Sequence, residues 1–354
     1  MNTKYLEILK NTGADALLLL NESNMHYFCG FSPSEGVVFL LKDGTGYHIV
    51  DSRYTETAEN HAKNTGLKVI EIKTRFSDEI KELCSKHNVG KIAFENETIT
   101  LKEYELYKNA TNCDFVGINN MMTEIRNIKT DDEIVLMKKA NEIAEKSFVE
   151  LLNSVKAGKS EKELQAEFDY IMAKNGSDGV SFDTILLTGA HTSLPHGVSS
   201  EKIIQKGDFV LFDFGATYKG YHSDMTRTVA VGLATDEMKE MYDLVLRAQL
   251  AGINALKAGI KCADVYKAAY DVLEEKNMGK YFRHSLGHGV GLDIHEGYNA
   301  SPRSNDVFKI NNVTSVEPGI YLPNKFGIRI EDVCVVKENG CENISKVDKS
   351  LLIL

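Results

Sequence analysis

The sequence predicts an α/β domain of about 120 residues followed by a larger α+β domain with pseudo-twofold symmetry. Three observations carry this. Over the first third, short apolar runs alternate with helical patterns. Beyond it, a helix–helix–strand–hairpin pattern occurs twice. Each copy of that hairpin holds two acidic residues in otherwise apolar strands.

In the first domain, Leu17–Leu20, Val37–Leu41, Tyr47–Val50, Lys68–Ile72, Lys91–Phe94 and Asp114–Val116 read as strands. Thr55–Thr65, Ser77–His87 and Leu101–Ala110 read as helices. A short helical connector over Asn119–Arg126 leads to a boundary between 119 and 128, giving domains 1–122 and 123–354. Thr130-Asp131-Asp132-Glu133 and Ser160-Glu161-Lys162-Glu163 are capping boxes, each opening a helix. The internal repeat is then visible in matched pieces. Asp236-Glu237 answers Asp132-Glu133, Lys257-Ala258-Gly259 answers Lys156-Ala157-Gly158, and His-Gly-Val stands at both His196 and His288. Glu317 falls where the repeat places the equivalent of Asp213.

Phe209–Phe214 reads as a buried strand with Asp213 inside it, returning through Asp224, Thr226 and Val229. A hairpin centred between Tyr218 and Lys219 sets Asp213 directly opposite Asp224, where like charges repel. Such a pair needs a cation or a shared proton, unless a slip of register turns one carboxylate to solvent. The second hairpin, centred on Asn324, opposes Glu317 to Glu331, with Pro318 forcing a bulge or an edge. His288 lies in Gly287-His288-Gly289-Val290-Gly291. His284 and His288 have the spacing of a helical zinc motif, but the glycines and the missing Glu argue against a helix. The set Asp213, Asp224, His288, Glu317 and Glu331 carries four negative charges, which two divalent cations would balance. Oxygen donors with one imidazole suit manganese, or another octahedral divalent ion, better than a structural zinc, with cobalt, iron or zinc as the alternatives for such a site.

Composition narrows the class. With 354 residues, a net charge of −10 and 43% hydrophobic residues, the chain is an ordinary globular protein, not a general binder of nucleic acid or anionic membranes. Six cysteines without a CxxC pair read as reduced thiols. The N-terminus lacks a signal-peptide core, and Ala16–Leu20 is too short to span a bilayer, so a cytoplasmic location is expected. No glycine-rich phosphate fingerprint follows a strand.

These residues, together with Leu194-Pro195-His196-Gly197, Leu292-Asp293-Ile294-His295-Glu296, Glu317-Pro318-Gly319-Ile320-Tyr321 and Arg329-Ile330-Glu331-Asp332, resemble the pita-bread metallopeptidase family. Within it the similarity is greatest to the Xaa-Pro peptidases, aminopeptidase P and prolidase. It covers essentially the whole chain, including an N-terminal domain of creatinase type that methionine aminopeptidases lack. Creatinase itself lacks the metal ligands, all five of which are present here. An intact ligand set also argues against a non-catalytic binding protein on the same fold.

The resemblance implies that Asp213 chelates one metal, His288 and Glu317 the other, and that Asp224 and Glu331 bridge them. It implies that Glu317 passes a proton to the leaving proline nitrogen, that His295 donates to the oxyanion, and that His196 holds substrate. His284 would line the proline pocket, Tyr321 would lie against the substrate, and Arg329 would orient the acids. A homodimer is expected, the N-terminal domain capping a neighbour's cleft. Prolidases carry an Arg shortly after the position of His295. Here the nearest is Arg303, so the sequence favours an aminopeptidase acting on tripeptides and longer, with a strict dipeptidase as the alternative.

Overall fold

A computed structural model describes residues 3–354, which divide between Arg126 and Asn127 into two compact units. The first unit is built on six strands: β1 (Ala16–Leu19), β2 (Gly36–Leu41), β3 (Gly46–Val50), β4 (Lys68–Glu71), β5 (Lys91–Phe94) and β6 (Asp114–Gly117). They form one sheet in the order β4-β3-β2-β1-β5-β6, antiparallel across β1–β2 and β2–β3 and parallel elsewhere. Every residue of β1 is buried, and its continuous apolar run follows from helices covering both faces. Leu17 and Leu19 enter one core layer, while Ala16 and Leu18 enter the other.

Helices α1 (Tyr5–Thr12), α2 (Glu22–Cys29), α3 (Thr55–Thr65), α4 (Phe76–His87), α5 (Leu101–Ala110) and α6 (Met121–Asn127) complete the unit. The strands and the three longer helices match the sequence reading to within a residue or so. Helices α1 and α2 were not expected. Both are short, and α1 has no side-chain cap, so their stability comes from docking Tyr5, Ile8, Met25 and Phe28 into the core.

In the second unit, α7 (Asp131–Leu151) and α8 (Glu161–Lys174) are opened by the expected capping boxes at Thr130 and Ser160. Their counterparts are α9 (Asp236–Ala255) and α10 (Cys262–Glu274). The repeat has a physical meaning: each helix pair has its own core. Phe148 and Phe168 pack on Phe212 and Phe214 under α7 and α8, with Phe168 and Phe214 ring centroids 4.6 Å apart. Val245, Ala269, Leu286, Ile328 and Cys334 pack under α9 and α10.

The strands of the first half are β7 (Gly179–Val180), β8 (Ile185–Thr188), β9 (Phe209–Phe214), β10 (Ala216–Tyr218), β11 (Tyr221–His222) and β12 (Met225–Ala230). Those of the second are β13 (His288–Gly289), β14 (Glu296–Asn299), β15 (Val313–Val316), β16 (Gly319–Leu322), β17 (Phe326–Arg329), β18 (Asp332–Lys337) and β19 (Gly340–Asn343).

The register of the first hairpin corrects the sequence reading. Tyr218 pairs with Tyr221, so the turn lies at Lys219-Gly220, and both of these have positive φ. Asp213 therefore faces Thr226, and Met225 faces Phe214, which puts Asp224 opposite Gly215. The two aspartates are diagonal neighbours on one face, not a direct pair. Gly215 is required there, because a Cβ would stand 2.0 Å from Ser223 O. In the second hairpin the expected register holds, with Gly319 on Arg329 and Val316 on Asp332. The ladder is interrupted between these pairs, at Pro318. Glu317 N instead donates to Leu286 O, and Glu331 N to Thr226 O.

Gly215→Ala is expected to destabilise the protein by about 1–3 kcal/mol through the forced backbone shift. The measurement is the urea midpoint, and an unchanged midpoint would contradict the close approach of Ser223.

Candidate metal centre

The two hairpins and the β13 loop converge on a cleft of about 670 Å³. Its walls include Asp213, Asp224, His288, Glu317 and Glu331, along with His196, His284, His295 and Arg329. Asp224, His288 and Glu331 each present a ligand atom within 4.8 Å of the others. His288 Nε2 lies 3.5 Å from both Asp224 Oδ2 and Glu317 Oε1, too far for hydrogen bonds but suited to sharing a cation. His288 Nδ1 donates to Gly289 O at 3.1 Å, leaving the Nε2 lone pair facing the carboxylates. The β13 backbone comes this close to β14 because Gly289 has no side chain: a Cβ would meet Glu296 O at 2.0 Å.

The electrostatics point the same way. Burial, then repulsion from Glu331, Asp213 and Glu317, raises Asp224 well above the usual carboxylate range. Glu317 is raised likewise by burial and then by Glu331. Glu331 is pushed up to about 8, by burial and then by Asp213. Burial holds His288 down at about 4, so the imidazole is neutral and can ligate. Glu331 Oε1 is buried without a hydrogen-bond partner among the described residues. Four carboxylates so placed are unfavourable without cations, and their oxygen-rich donors fit a divalent ion.

A polar relay surrounds the acids. Arg329 donates through Nη2 to Asp213 Oδ2, through Nε to Thr226 Oγ1 at 3.0 Å, and through Nη1 to Tyr321 Oη at 2.7 Å. Thr226 Oγ1 donates to Glu331 Oε2 at 2.7 Å. Tyr321 Oη donates to His284 Nε2 at 2.8 Å, and His284 Nδ1 to Ser285 O at 2.7 Å. Burial and Arg329 lower His284 to about 3, which fixes it as a neutral ring. Tyr321 is buried behind the wall and bears on the cleft through His284 and Arg329. His196 and His295 are exposed to the cleft, with the His295 ring centroid 4.2 Å from that of His288. Arg303 is not among the residues lining it.

Two hydroxyls escaped the sequence reading. Thr226 joins Arg329 to Glu331, and Ser315 Oγ accepts from His288 N at 3.1 Å. The signal was present in Asp224-x-Thr226 and Ser315-x-Glu317, where period-two spacing puts a hydroxyl on the face of each acid. Phe182 and Asp183, also on the cleft wall, carried no sequence signal.

Because the raised Glu331 binds a proton more tightly folded than unfolded, its contribution to stability is present below pH about 4.5 and lost as pH rises towards 8. Chelator-stripped protein should therefore lose melting temperature over that window, Mn²⁺ should restore it, and Glu331→Gln should flatten the slope. Parallel melting profiles for stripped and loaded protein would contradict the mutual repulsion described here.

Residues 135–338 match metallopeptidase family M24, and residues 3–128 match the creatinase/prolidase N-terminal domain. A solved Xaa-Pro dipeptidase from Bacillus anthracis is 40% identical, covers 99% of this chain and 98% of its own, and superposes with a TM-score of 0.95. An X-Pro aminopeptidase from Thermotoga maritima is 38% identical, with coverage of 98% and 100% and a TM-score of 0.93. The Xaa-Pro dipeptidase of Pyrococcus furiosus is 36% identical over 99% of this chain and 98% of its own length. The chain belongs to metallopeptidase family M24, with a creatinase/prolidase domain ahead of the peptidase domain.

Proposed function

We propose that this enzyme is a dinuclear-metal exopeptidase that hydrolyses the bond between an N-terminal residue and a following proline, with Xaa-Pro dipeptides as substrates. The observation that carries this is the convergence of Asp224, His288 and Glu331 within 4.8 Å, in a cleft shared with Asp213 and Glu317. The names of the Bacillus anthracis and Pyrococcus furiosus relatives supply the substrate class. Asp213, Asp224, His288, Glu317 and Glu331 would hold the ions, with manganese favoured by the hard donors. Two such ions would polarise the scissile carbonyl and lower the pKa of the attacking water.

The protein's own groups do the rest. Glu317, at the meeting point of the ligands, carries the proton to the leaving proline nitrogen. His295, exposed beside His288, donates to the carbonyl oxygen as charge develops on it. His196, on the Leu194–Val198 loop, contacts the substrate backbone. His284 is presented to the cleft in one fixed tautomer by Ser285 and Tyr321. Arg329 holds Asp213 and Thr226 in place without touching substrate.

A second reading, cleavage of tripeptides and longer, is favoured by a specific feature. The one guanidinium on the cleft wall, Arg329, is committed to Asp213 and Tyr321 and is not free to grip a dipeptide's terminal carboxylate. The Thermotoga maritima relative, named an X-Pro aminopeptidase, fits this reading.

His295→Ala should reduce kcat by about 10²–10³-fold, as for loss of one oxyanion donor, with metal content unchanged by elemental analysis. Activity within twofold of wild type would remove His295 from the chemistry. Substrate length is decided by kcat/KM for Ala-Pro against Ala-Pro-Ala, on wild type and Arg303→Ala. A wild type confined to the dipeptide, and crippled in the variant, makes this a dipeptidase; efficient tripeptide cleavage makes it an aminopeptidase.

A further inference from the structure

Resting on the Xaa-Pro reading, we infer that Asp183 selects a basic residue, Lys or Arg, before the proline. The backbone gives the first reason. Val180 pairs with Ala216, and Ile185 pairs with Asp213. Between these pairs, Ser181–Thr184 stand against only Phe214 and Gly215, so the chain bulges by two residues beside the metal cluster. Both ends of the bulge are pinned. Ser181 N donates to Gly215 O at 2.9 Å, Ser181 Oγ to Ala216 O at 2.9 Å, and Thr184 Oγ1 to Asp169 Oδ1 at 2.7 Å. With Ser181 and Thr184 buried, Phe182 and Asp183 are turned out onto the cleft wall next to Ile185.

The second reason is charge. Six carboxylates line the cleft. Four of them, Asp213, Asp224, Glu317 and Glu331, belong to the metal cluster, where the ions neutralise them. Glu296 is paired with Lys129, both buried. Asp183 remains, exposed and without an ion pair among the described residues, so it supplies the cleft's one uncompensated negative charge. Phe182 and Ile185 beside it offer an apolar strip. A side chain with a long apolar stem and a cationic end matches that sequence of surfaces, and Lys and Arg have this form. Ile185, directly opposite Asp213, fixes the strip at the edge of the metal cluster, where the residue before the scissile bond would lie.

The experiment uses the full chain loaded with Mn²⁺ and measures kcat/KM for Lys-Pro, norleucine-Pro and Glu-Pro, each as the dipeptide and with a C-terminal Ala added. Wild type should favour Lys-Pro over norleucine-Pro by about fivefold, the worth of one solvent-exposed charge pair, and more strongly over Glu-Pro. Asp183→Asn should bring the Lys-Pro to norleucine-Pro ratio to within twofold of unity, and Asp183→Lys should invert the order of Lys-Pro and Glu-Pro. Raising the salt from about 0.05 M to 0.5 M should shrink the wild-type preference. If norleucine-Pro is cleaved but both variants keep the wild-type ratio, the role of Asp183 falls while the peptidase reading stands. If no Xaa-Pro peptide is cleaved by the loaded enzyme, the peptidase reading falls and takes this inference with it.

Discussion

Four crowded carboxylates, Asp224 and Glu331 buried and Asp213 and Glu317 partly so, are the constraint on which the second unit is organised. Asp224, Glu317 and Glu331 are each raised by burial first and by their acidic neighbours next. A fold can keep such a cluster only if cations compensate it, or if the acids give up ionisation. The surrounding hydrogen bonds orient the groups rather than relieve them. Glu331 Oε2 is satisfied by Thr226, but Oε1 is buried without a hydrogen-bond partner among the described residues. His288 is kept neutral with its free nitrogen turned inward.

Arg329 is the guanidinium bonded directly to an acid of the cluster, and it ties the two halves of the repeat together. Its side chain reaches from β17 to Asp213 on β9 and Thr226 on β12, and its backbone N–H bonds Thr228 Oγ1 at 3.3 Å. On the far side of Glu331, Arg227 donates to Glu331 O and to Asp332 Oδ1, and Asp332 is completed by Gln249, Asn343 and Lys349. The ligand-bearing segment of the second hairpin is thus clamped by a guanidinium on each side. That rigidity costs buried charge, and it is the kind of support a metal site requires from the residues around its ligands.

How much of this could be read from the chain depends on which physical rule was in control. The strands β1, β2, β3 and β5, almost wholly buried, announced themselves through apolar runs, the more exposed β4 and β6 through shorter ones, and the capping boxes at Thr130 and Ser160 fixed two helix starts. Helices α1 and α2 did not, because tertiary docking, not local propensity, makes them stable. The acids that gather on the cleft were legible because few other arrangements place acids inside apolar strands. The first hairpin's register was not, because Lys219-Gly220 and Tyr218-Lys219 are both acceptable turns. What decides between them is the Gly215–Ser223 approach, a contact across the hairpin that no local pattern encodes. Phe182 and Asp183 were invisible for the same reason, since a bulge appears only once both flanking registers are known.

The corrected register also explains why the two halves use different acids. In the second hairpin the flanking pairs, Val316 with Asp332 and Gly319 with Arg329, put Glu317 and Glu331 at matching positions of an interrupted ladder, each with its backbone N–H bonded elsewhere. The longer glutamate side chains can leave that line and spread towards His288 and Thr226. In the first hairpin the acids are diagonal, at about 7–8 Å, across the bare position of Gly215. Aspartates there reach the common centre with their short arms, and no side chain at Gly215 stands between them. A pseudo-twofold scaffold therefore carries an asymmetric site. The position of the turn sets the register of each hairpin, the register sets the spacing of its acids, and the spacing determines whether Asp or Glu can deliver an oxygen to the same point.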